Sequence, residues 1–148
     1  MQTIIFSGVQ GSGKSTFFKT RFFDTHVRIN MDMLRTRHRE TLLMQACLEM
    51  QQPFVVDNTN PTIEVRAKYI QAARAARFQV VGYYFLPDLT LSLQRNAARS
   101  GRQRVPDKGV VATFRKLQPP TFEEGFDLLY TVRTSENGGF EVEPVQNI

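Results

Sequence analysis

The sequence predicts an α/β domain in which a parallel sheet is flanked by helices. Short apolar runs alternate with predicted helical segments along the 148 residues, and this order is typical of a parallel sheet wrapped by helices. A glycine-rich loop joins the first apolar run, residues 3–6, to the first helical segment, residues 16–23. A chain of this length suits one domain with a sizeable core. We therefore expect residues 1–148 to form a single domain.

The glycine-rich loop reads Gly-Val-Gln-Gly-Ser-Gly-Lys-Ser from Gly8 to Ser15 and fits the pattern G-x-x-x-x-G-K-S/T at every position. Its glycines let the backbone approach phosphate oxygens, and its N–H groups form an anion site where a helix begins. Lys14 is the expected cation for the phosphates, and the Ser15 hydroxyl is an expected magnesium ligand. Because the motif lies between a strand and a helix, we prefer a nucleoside triphosphate site to a loop that merely turns the chain.

The chain is basic: 19 Lys and Arg residues against 14 Asp and Glu residues give a net charge of +5. Fourteen of the basic residues are arginine, the side chain suited to bidentate contacts with phosphate. Such a surface attracts nucleotides and nucleic acids, although genomic base composition alone can also enrich arginine. The positions of the arginines are therefore more informative than their number.

Membrane and secreted classes of protein are not expected. No segment approaches the ~18 uninterrupted apolar residues of a membrane span, and a predicted strand begins within three residues of Met1, where a secretory signal would lie. Cys47 is the only cysteine, so no internal disulfide can form. We expect a reducing, cytoplasmic setting.

The other elements follow in order along the chain. We predict strands at 27–30, 53–57 and 78–85, helices at 32–51, 60–76, 89–99 and 106–117, and a C-terminal hairpin of strands 128–133 and 139–142. Residues 135–138 carry the Asn-Gly signal of a hairpin turn, and Asn60 followed by Pro61 is a good start for a helix. The expected core contacts of the two longest helices are Leu34, Leu42, Leu43, Cys47 and Met50, and Ala67, Ile70, Ala73 and Ala76.

Polar side chains follow the second and third strands where each strand ends. In a parallel α/β sheet a ligand binds at the carboxyl ends of the strands. Asp57, after the third strand, has the position of an acid that holds magnesium or a magnesium-bound water. Asn30 and Asp32 follow the second strand. Asp32 is either a base that accepts the proton of an attacking hydroxyl or the cap of the next helix, and spacing alone leaves both interpretations open.

A basic cluster follows Asp32 in the first two turns of the predicted helix: Arg35, Arg37, His38 and Arg39. Positive charge at a helix N-terminus opposes the macrodipole. Arg35 and Arg39 are four residues apart and would share one helical face. This arrangement favours an external phosphate that neutralises the face, and the alternative is a solvated charged surface.

A second group of arginines comprises Arg95, Arg99, Arg102 and Arg104. Arg95 and Arg99 would share a helical face, and the other two lie in a loop marked by Gly101 and Pro106. In phosphoryl transfer, a mobile lid brings arginine to the transferring group and excludes water. We predict a lid at about residues 95–106, with a merely basic surface as the alternative.

Six stretches match the pattern of one family: residues 11–17, 27–32, 56–61, 66–76, 95–99 and 119–126. Asp-Asn-Thr-Asn-Pro at 57–61 and Pro-Thr-Phe-Glu-Glu-Gly-Phe at 120–126 are far more selective than the phosphate loop. On these stretches the chain resembles the polynucleotide 5′-hydroxyl kinases, especially the kinase half of the animal polynucleotide kinase/phosphatases and the phage RNA-repair kinases.

The resemblance implies the P-loop kinase fold, ATP and Mg²⁺ as cofactors, and the 5′-hydroxyl end of DNA or RNA as acceptor. It implies that Asp32 is the general base, that Lys14 and Arg99 act on the donor phosphates, and that Arg35 contacts an acceptor phosphate. The ATP-binding residues expected are Gly8, Gln10, Gly11, Ser12, Gly13, Lys14, Ser15, Thr16, Arg95 and Arg99; the acceptor-binding residues are Arg35, Arg39 and Asn58; and the metal ligands are Ser15 and Asp57.

The chain departs from this family in two ways. The residue before the expected base is usually Arg and is Met31 here, so acceptor affinity or preference is expected to differ. No Asp-x-Asp pair occurs, so we expect none of the phosphatase activity of the bifunctional relatives.

We therefore predict a kinase, dependent on ATP and magnesium, that phosphorylates 5′-hydroxyl ends of DNA or RNA. A small-molecule kinase on the same scaffold is the first alternative. A nucleotide-binding switch that acts through a partner is the second, and a kinase fold whose acceptor chemistry has lapsed is the third. Whether a separate ligase or phosphatase acts with the chain stays open.

Overall fold

Six strands form one sheet in the computed structural model, which describes residues 1–135 and 137–148, apart from the side chain of Arg102. The strands are β1 (Gln2–Ser7), β2 (Val27–Ile29), β3 (Phe54–Val56), β4 (Gln79–Phe85), β5 (Leu128–Thr134) and β6 (Phe140–Pro144). Their order is β2-β3-β1-β4-β5-β6, with the first five strands parallel and β6 antiparallel to β5. The helices are α1 (Lys14–Arg21), α2 (Met31–Leu34), α3 (Arg37–Glu49), α4 (Ile63–Ala75), α5 (Leu89–Ala97) and α6 (Asp107–Lys116). The prediction of a parallel sheet flanked by helices, with a C-terminal hairpin, is confirmed.

Hydrophobic cores cover both faces of the sheet because successive strand residues point to opposite sides. In β1, Ile4 and Phe6 belong to the core that includes α1, and Ile5 belongs to the core that includes α3 and α4. The ring of Phe6 lies 5.8 Å from that of Phe17 and 5.2 Å from that of Phe85. These edge-to-face contacts fix α1 on the sheet, and with it the loop that precedes α1.

The helix predicted at 32–51 is in fact two helices, α2 and α3. Arg35 ends α2 with a φ of 72°, and Thr36 begins α3 as its cap, accepting a hydrogen bond from the N–H of Arg39 at 3.1 Å. Leu42 and Met50 are 52% and 62% exposed, so the prediction that they contact the core is wrong. Of the other predicted contacts, Cys47 is buried, and Leu34 and Leu43 pack against the core.

Asn60 does not cap α4, contrary to the prediction. It has a φ of 41°, and its buried side chain donates to the Phe6 carbonyl oxygen at 2.7 Å. Thr62 is the cap, since its hydroxyl accepts from the N–H of Val65. The helix therefore starts at Ile63, and Ala76 lies exposed beyond its end instead of on the core.

The C-terminal hairpin closes through a turn in which the Ser135 N–H donates to the Gly139 carbonyl at 2.9 Å. Gly138 has a φ of 78°, as an Asn-Gly turn requires. Glu136, within the predicted turn, lies outside the described residues. In the described part of the chain, no helix has the length and apolar character needed to cross a lipid bilayer.

Candidate active site

The phosphate loop lies between β1, a central strand of the sheet, and α1. Gly11 has a φ of 77°, and a Cβ on it would lie 2.6 Å from the Ser92 carbonyl oxygen. Gly13 caps α1 with a φ of 97°. A side chain at either position would strain or displace the backbone. The loop therefore has the glycine-dependent shape that its motif predicts.

Lys14, the first residue of α1, turns its ammonium group back over the loop. Its Nζ donates to the carbonyl oxygens of Gly8 and Val9 at 3.0 and 2.9 Å. Burial lowers the pKa of Lys14 to about 8, although the carboxylate of Asp57 opposes this shift. A phosphate group beside the loop would favour the charged lysine, so the site is suited to an anion.

Asp57 directly follows β3, and its side chain is buried. The Ser15 hydroxyl donates to its Oδ2 at 3.2 Å, and Nε of Arg28 donates to the same oxygen at 2.8 Å. Nη2 of Arg28 also donates to the Ser15 hydroxyl at 2.8 Å. A cation thus already contacts both predicted metal ligands.

A hydroxyl and a carboxylate are oxygen ligands of the type that Mg²⁺ prefers, so Ser15 and Asp57 fit this ion. Among the described residues, His, Cys, Asp and Glu form no cluster of three or more that would hold a metal. A magnesium ion here would therefore depend on this pair together with water and nucleotide phosphates.

Asn30, not Asp32, caps α2. The Asn30 side chain accepts from the N–H of Met33 at 3.1 Å and donates to the Asp57 carbonyl oxygen at 2.7 Å. Asp32 is the second residue of α2 and is exposed. It lines a cleft of about 230 Å³ together with Lys14 and Asp57. The interpretation of Asp32 as a helix cap is therefore wrong, and the carboxylate faces the same cleft as the phosphate loop.

The break between α2 and α3 changes the predicted acceptor face. Arg35 ends α2, whereas Arg39 lies in the first turn of α3, so the prediction that they share one helical face is wrong. Nη1 of Arg39 donates to the Leu34 carbonyl at 3.3 Å. Arg37, which the sequence did not single out for the acceptor, lines the cleft beside Asp32.

Residues of the Asp-Asn-Thr-Asn stretch, at 57–60, form hydrogen bonds with α2, α3 and the phosphate loop. Asn58 donates to Glu40 Oε2 at 3.2 Å and accepts from the Met31 N–H at 3.0 Å. The Thr59 carbonyl accepts from the N–H of Gly8 at 2.9 Å. Asn58 lines the cleft, but its described hydrogen bonds position α2.

Arg95 and Arg99, the arginines of the predicted lid, lie beside the phosphate loop without sharing a helix. Because α5 ends at Ala97, the prediction that Arg95 and Arg99 share a helical face is wrong. Both nonetheless line a cavity of about 280 Å³ beside Gly13 and Thr16. Arg95 donates to the Gly11 carbonyl at 3.3 Å and Arg99 to the Gln103 carbonyl at 3.4 Å.

Arg104 lines a separate hollow with Pro106 and Asp107, and the side chain of Arg102 lies outside the described part of the chain. Sequence reasoning missed Asn96, which is fully buried. Its side chain bonds both backbone groups of Val105, accepting from the N–H at 2.9 Å. These two hydrogen bonds join the ends of the segment between residues 96 and 105, and a buried amide at that spacing has no recognisable sequence signal.

A hydrogen bond to α6 and a further cavity lie beside the phosphate loop. Gln10 donates to the Thr113 hydroxyl at 3.1 Å, which ties the loop to α6. A cavity of about 330 Å³ is lined by Ser12, Leu91, Arg95 and Arg133, among others. Its mixed apolar and cationic walls are suited to a nucleobase with its sugar.

The fold and the site define a P-loop kinase: a phosphate loop after a central parallel strand, acids after β2 and β3, and two arginines beside the loop. Residues 4–120 match the family described as an AAA domain. The chain belongs to that family.

Two curated relatives are similar to the chain. The bifunctional polynucleotide phosphatase/kinase of Schizosaccharomyces pombe is 27% identical over 129 residues, covering 84% of this chain and 32% of the relative. A relative from Acanthamoeba polyphaga mimivirus is 29% identical over 138 residues, covering 88% and 33%. The chain therefore spans about a third of the length of the curated relatives it matches. The similarity to polynucleotide kinases predicted from the motifs is confirmed.

A gluconokinase from Sinorhizobium meliloti shares the fold. It is 18% identical with a TM-score of 0.62, covering 91% of this chain and 83% of that one. At this identity the likeness concerns the fold alone.

Proposed function

We propose that the chain is a polynucleotide 5′-hydroxyl kinase that transfers the γ-phosphate of ATP to the 5′-hydroxyl end of DNA or RNA. One observation carries the proposal: Asp32, Lys14, Ser15 and Asp57 line a single cleft, so an acid for the acceptor adjoins the donor loop. The net charge of +5 favours a polyanionic acceptor. The name of the Schizosaccharomyces pombe relative supports a nucleic acid in that role.

On this proposal the phosphate loop and the lid bind ATP, and the cavity beside Leu91 receives its base. The residues assigned to the nucleotide are Gly8, Gln10, Gly11, Ser12, Gly13, Lys14, Ser15, Thr16, Arg95 and Arg99. We also propose one domain over residues 1–148, a lid at about residues 95–106 and a cytoplasmic setting.

Asp32 orients the acceptor hydroxyl and accepts its proton as the oxygen attacks in line. Lys14 and Arg99 place positive charge against the transferring group and exclude water from it. Ser15 and Asp57 would hold Mg²⁺, which would supply further positive charge to the phosphate oxygens when bound. Positioning and electrostatics provide most of the rate, and proton transfer provides a smaller share.

The test is transfer of labelled γ-phosphate from ATP, with Mg²⁺, to a short oligonucleotide that has a 5′-hydroxyl. We expect label at that end, no label on the same oligonucleotide with a 5′-phosphate, and loss of transfer in Asp32→Asn with ATP binding intact. Asp32→Asn protein that transfers at the wild-type rate would remove Asp32 from the mechanism.

A small-molecule kinase or a nucleotide-binding switch would bind ATP and leave both DNA and RNA unlabelled. Salt dependence separates the first of these from a polynucleotide kinase. Affinity for an acceptor with several phosphates falls steeply as salt rises and improves with acceptor length. Affinity for a neutral metabolite would show neither dependence.

A further inference from the structure

We infer that Arg37, held by the buried carboxylate of Glu40, binds the phosphate on the 3′ side of the nucleotide whose 5′-hydroxyl is phosphorylated. The inference rests on the proposed function and deepens it. It assigns the acceptor phosphate to a side chain other than Arg35 and Arg39, the two arginines that the sequence predicts for the acceptor.

Glu40 is the anchor of this arrangement. It is 2% exposed, although it lies on a helix whose other early residues are solvated. Its carboxylate accepts from the Tyr69 hydroxyl at 3.0 Å, from Asn58 Nδ2 at 3.2 Å and from Nη1 of Arg37 at 3.0 Å. Lys68 adds a contact at 3.4 Å. A buried carboxylate is stable only with such partners, so this network holds its members in place.

The guanidinium group of Arg37 is hydrogen-bonded through one nitrogen, and the side chain is otherwise largely exposed. Its hydrogen bonds within the described part of the chain come from Nη1, to Glu40 and to the Tyr69 hydroxyl at 3.2 Å. Burial, reinforced by Glu40, raises the pKa of Tyr69 to about 12, so this hydroxyl stays protonated. A guanidinium has five N–H groups, and the Arg37 side chain is 59% exposed. Nε and Nη2 are therefore available to a phosphate in a preset orientation.

Arg37 lies where an acceptor phosphate is needed. It lines the same cleft as Asp32, and Asn58 connects Glu40 to the Met31 N–H at the start of α2. The network thus holds both the phosphate-binding group and the helix that carries the base. In the acceptor nucleotide, the 5′-hydroxyl and the 3′-phosphate are attached to the same sugar. Asp32 and Arg37, positioned by the same hydrogen-bond network, are therefore suited to contact these two groups together.

The rival arginines are less well placed. Arg35 lies outside both helices, at the end of α2, and the guanidinium of Arg39 contacts the Leu34 carbonyl. Arg37 places a positive charge on the wall of the cleft that Asp32 also lines.

The test combines Arg37→Gln with an oligonucleotide whose first internucleotide linkage is a neutral methylphosphonate. On the ordinary oligonucleotide we expect Arg37→Gln to raise KM roughly ten- to a hundredfold. The neutral linkage should impose a similar loss on the wild-type protein and almost no further loss on Arg37→Gln. Glu40→Gln, a positioning change, should show a smaller loss with the same dependence on the linkage.

The controls are Arg115→Gln, which removes an exposed charge on α6, and an oligonucleotide with its second linkage neutral. An equal loss from Arg37→Gln on charged and neutral first linkages would overturn the inference. So would a linkage-dependent loss in Arg35→Gln with none in Arg37→Gln. Wild-type protein that binds ATP and labels no oligonucleotide would overturn the proposed function itself. ATP affinity and the unfolding temperature of each variant identify a folding defect.

Discussion

Nε of Arg28 donates to Oδ2 of Asp57 at 2.8 Å, and Asp57 is the buried acid expected to hold magnesium. The guanidinium also contacts Ser15, so it bridges the two predicted metal ligands. Arg28 thus forms an ion pair with a buried carboxylate that also interacts with the ammonium group of Lys14. A metal ion that approaches this pair meets a resident positive charge.

Arg28→Gln is therefore expected to tighten metal binding. Two unit charges about 4 Å apart repel by about 1 kcal/mol at the dielectric constant of water and by about 4 kcal/mol at the effective value near a protein surface. We expect at least a roughly threefold gain in Mn²⁺ affinity in the presence of nucleotide, measured by electron paramagnetic resonance. The variant should also unfold at a lower temperature without metal and recover when Mg²⁺ is added. Arg115→Gln is the control for net charge, and equal Mn²⁺ affinity in both variants and the wild type would contradict the prediction.

Lys14 is expected to make ATP binding dependent on pH. Its pKa is about 8 in the free protein, and a bound polyphosphate favours the ammonium form, which raises this pKa. The complex therefore takes up a proton wherever the free lysine has lost one. Affinity should be nearly level up to about pH 7 and fall by up to about tenfold per pH unit above the pKa.

Calorimetry in buffers of different ionisation enthalpy measures this proton uptake. We expect close to one proton per ATP at about pH 9 and little at about pH 7. Lys14→Met should bind weakly and show no uptake that depends on pH. Equal uptake by the wild-type protein at both pH values would mean that the lysine stays charged in the free state.

The buried pair of Arg66 and Glu124 should dominate the stability of the α4 face. Nε of Arg66 lies 2.8 Å from Oε1 of Glu124, and the two side chains are 0% and 4% exposed. Glu124→Gln leaves a buried cation without its partner, which we expect to cost about 3–5 kcal/mol in the free energy of unfolding. Denaturant titration checks this. Glu141→Gln, which breaks an exposed ion pair with Arg133, should cost less than about 1 kcal/mol. Similar losses of unfolding free energy in the two variants would contradict the prediction that the buried pair contributes more.

Asn96→Ala should loosen the predicted lid at residues 95–106. The variant loses both hydrogen bonds to Val105, and the Val105 backbone groups then open to solvent. Hydrogen exchange of the Val105 amide should accelerate by about tenfold or more, with little change at Val81 in the core. If that amide exchanged at the wild-type rate, other contacts would be holding the loop.

Local patterns predicted the elements well and failed where the backbone has an unusual conformation. The break at Arg35 places an arginine at a positive φ, a conformation that glycine or asparagine usually signals. Asn60 carries a signal for a helix cap, but it takes a left-handed conformation instead and donates to β1. At Asn60 the hydrogen bond to β1, a distant segment of the chain, outweighs the local preference.

The sequence by itself determined the phosphate loop, the parallel sheet and the approach of Asp32 and Asp57 to that loop. These follow from short-range backbone preferences and from the rule that parallel strands present their carboxyl ends at one edge. Only the tertiary structure decided that Arg28 hydrogen-bonds to Asp57, one of the two predicted metal ligands, and that Glu40 holds Arg37 in the cleft. Side-chain hydrogen bonds such as the one from Asn58 to Glu40 join separate elements of the chain. Their partners depend on how the elements pack, which no local pattern encodes.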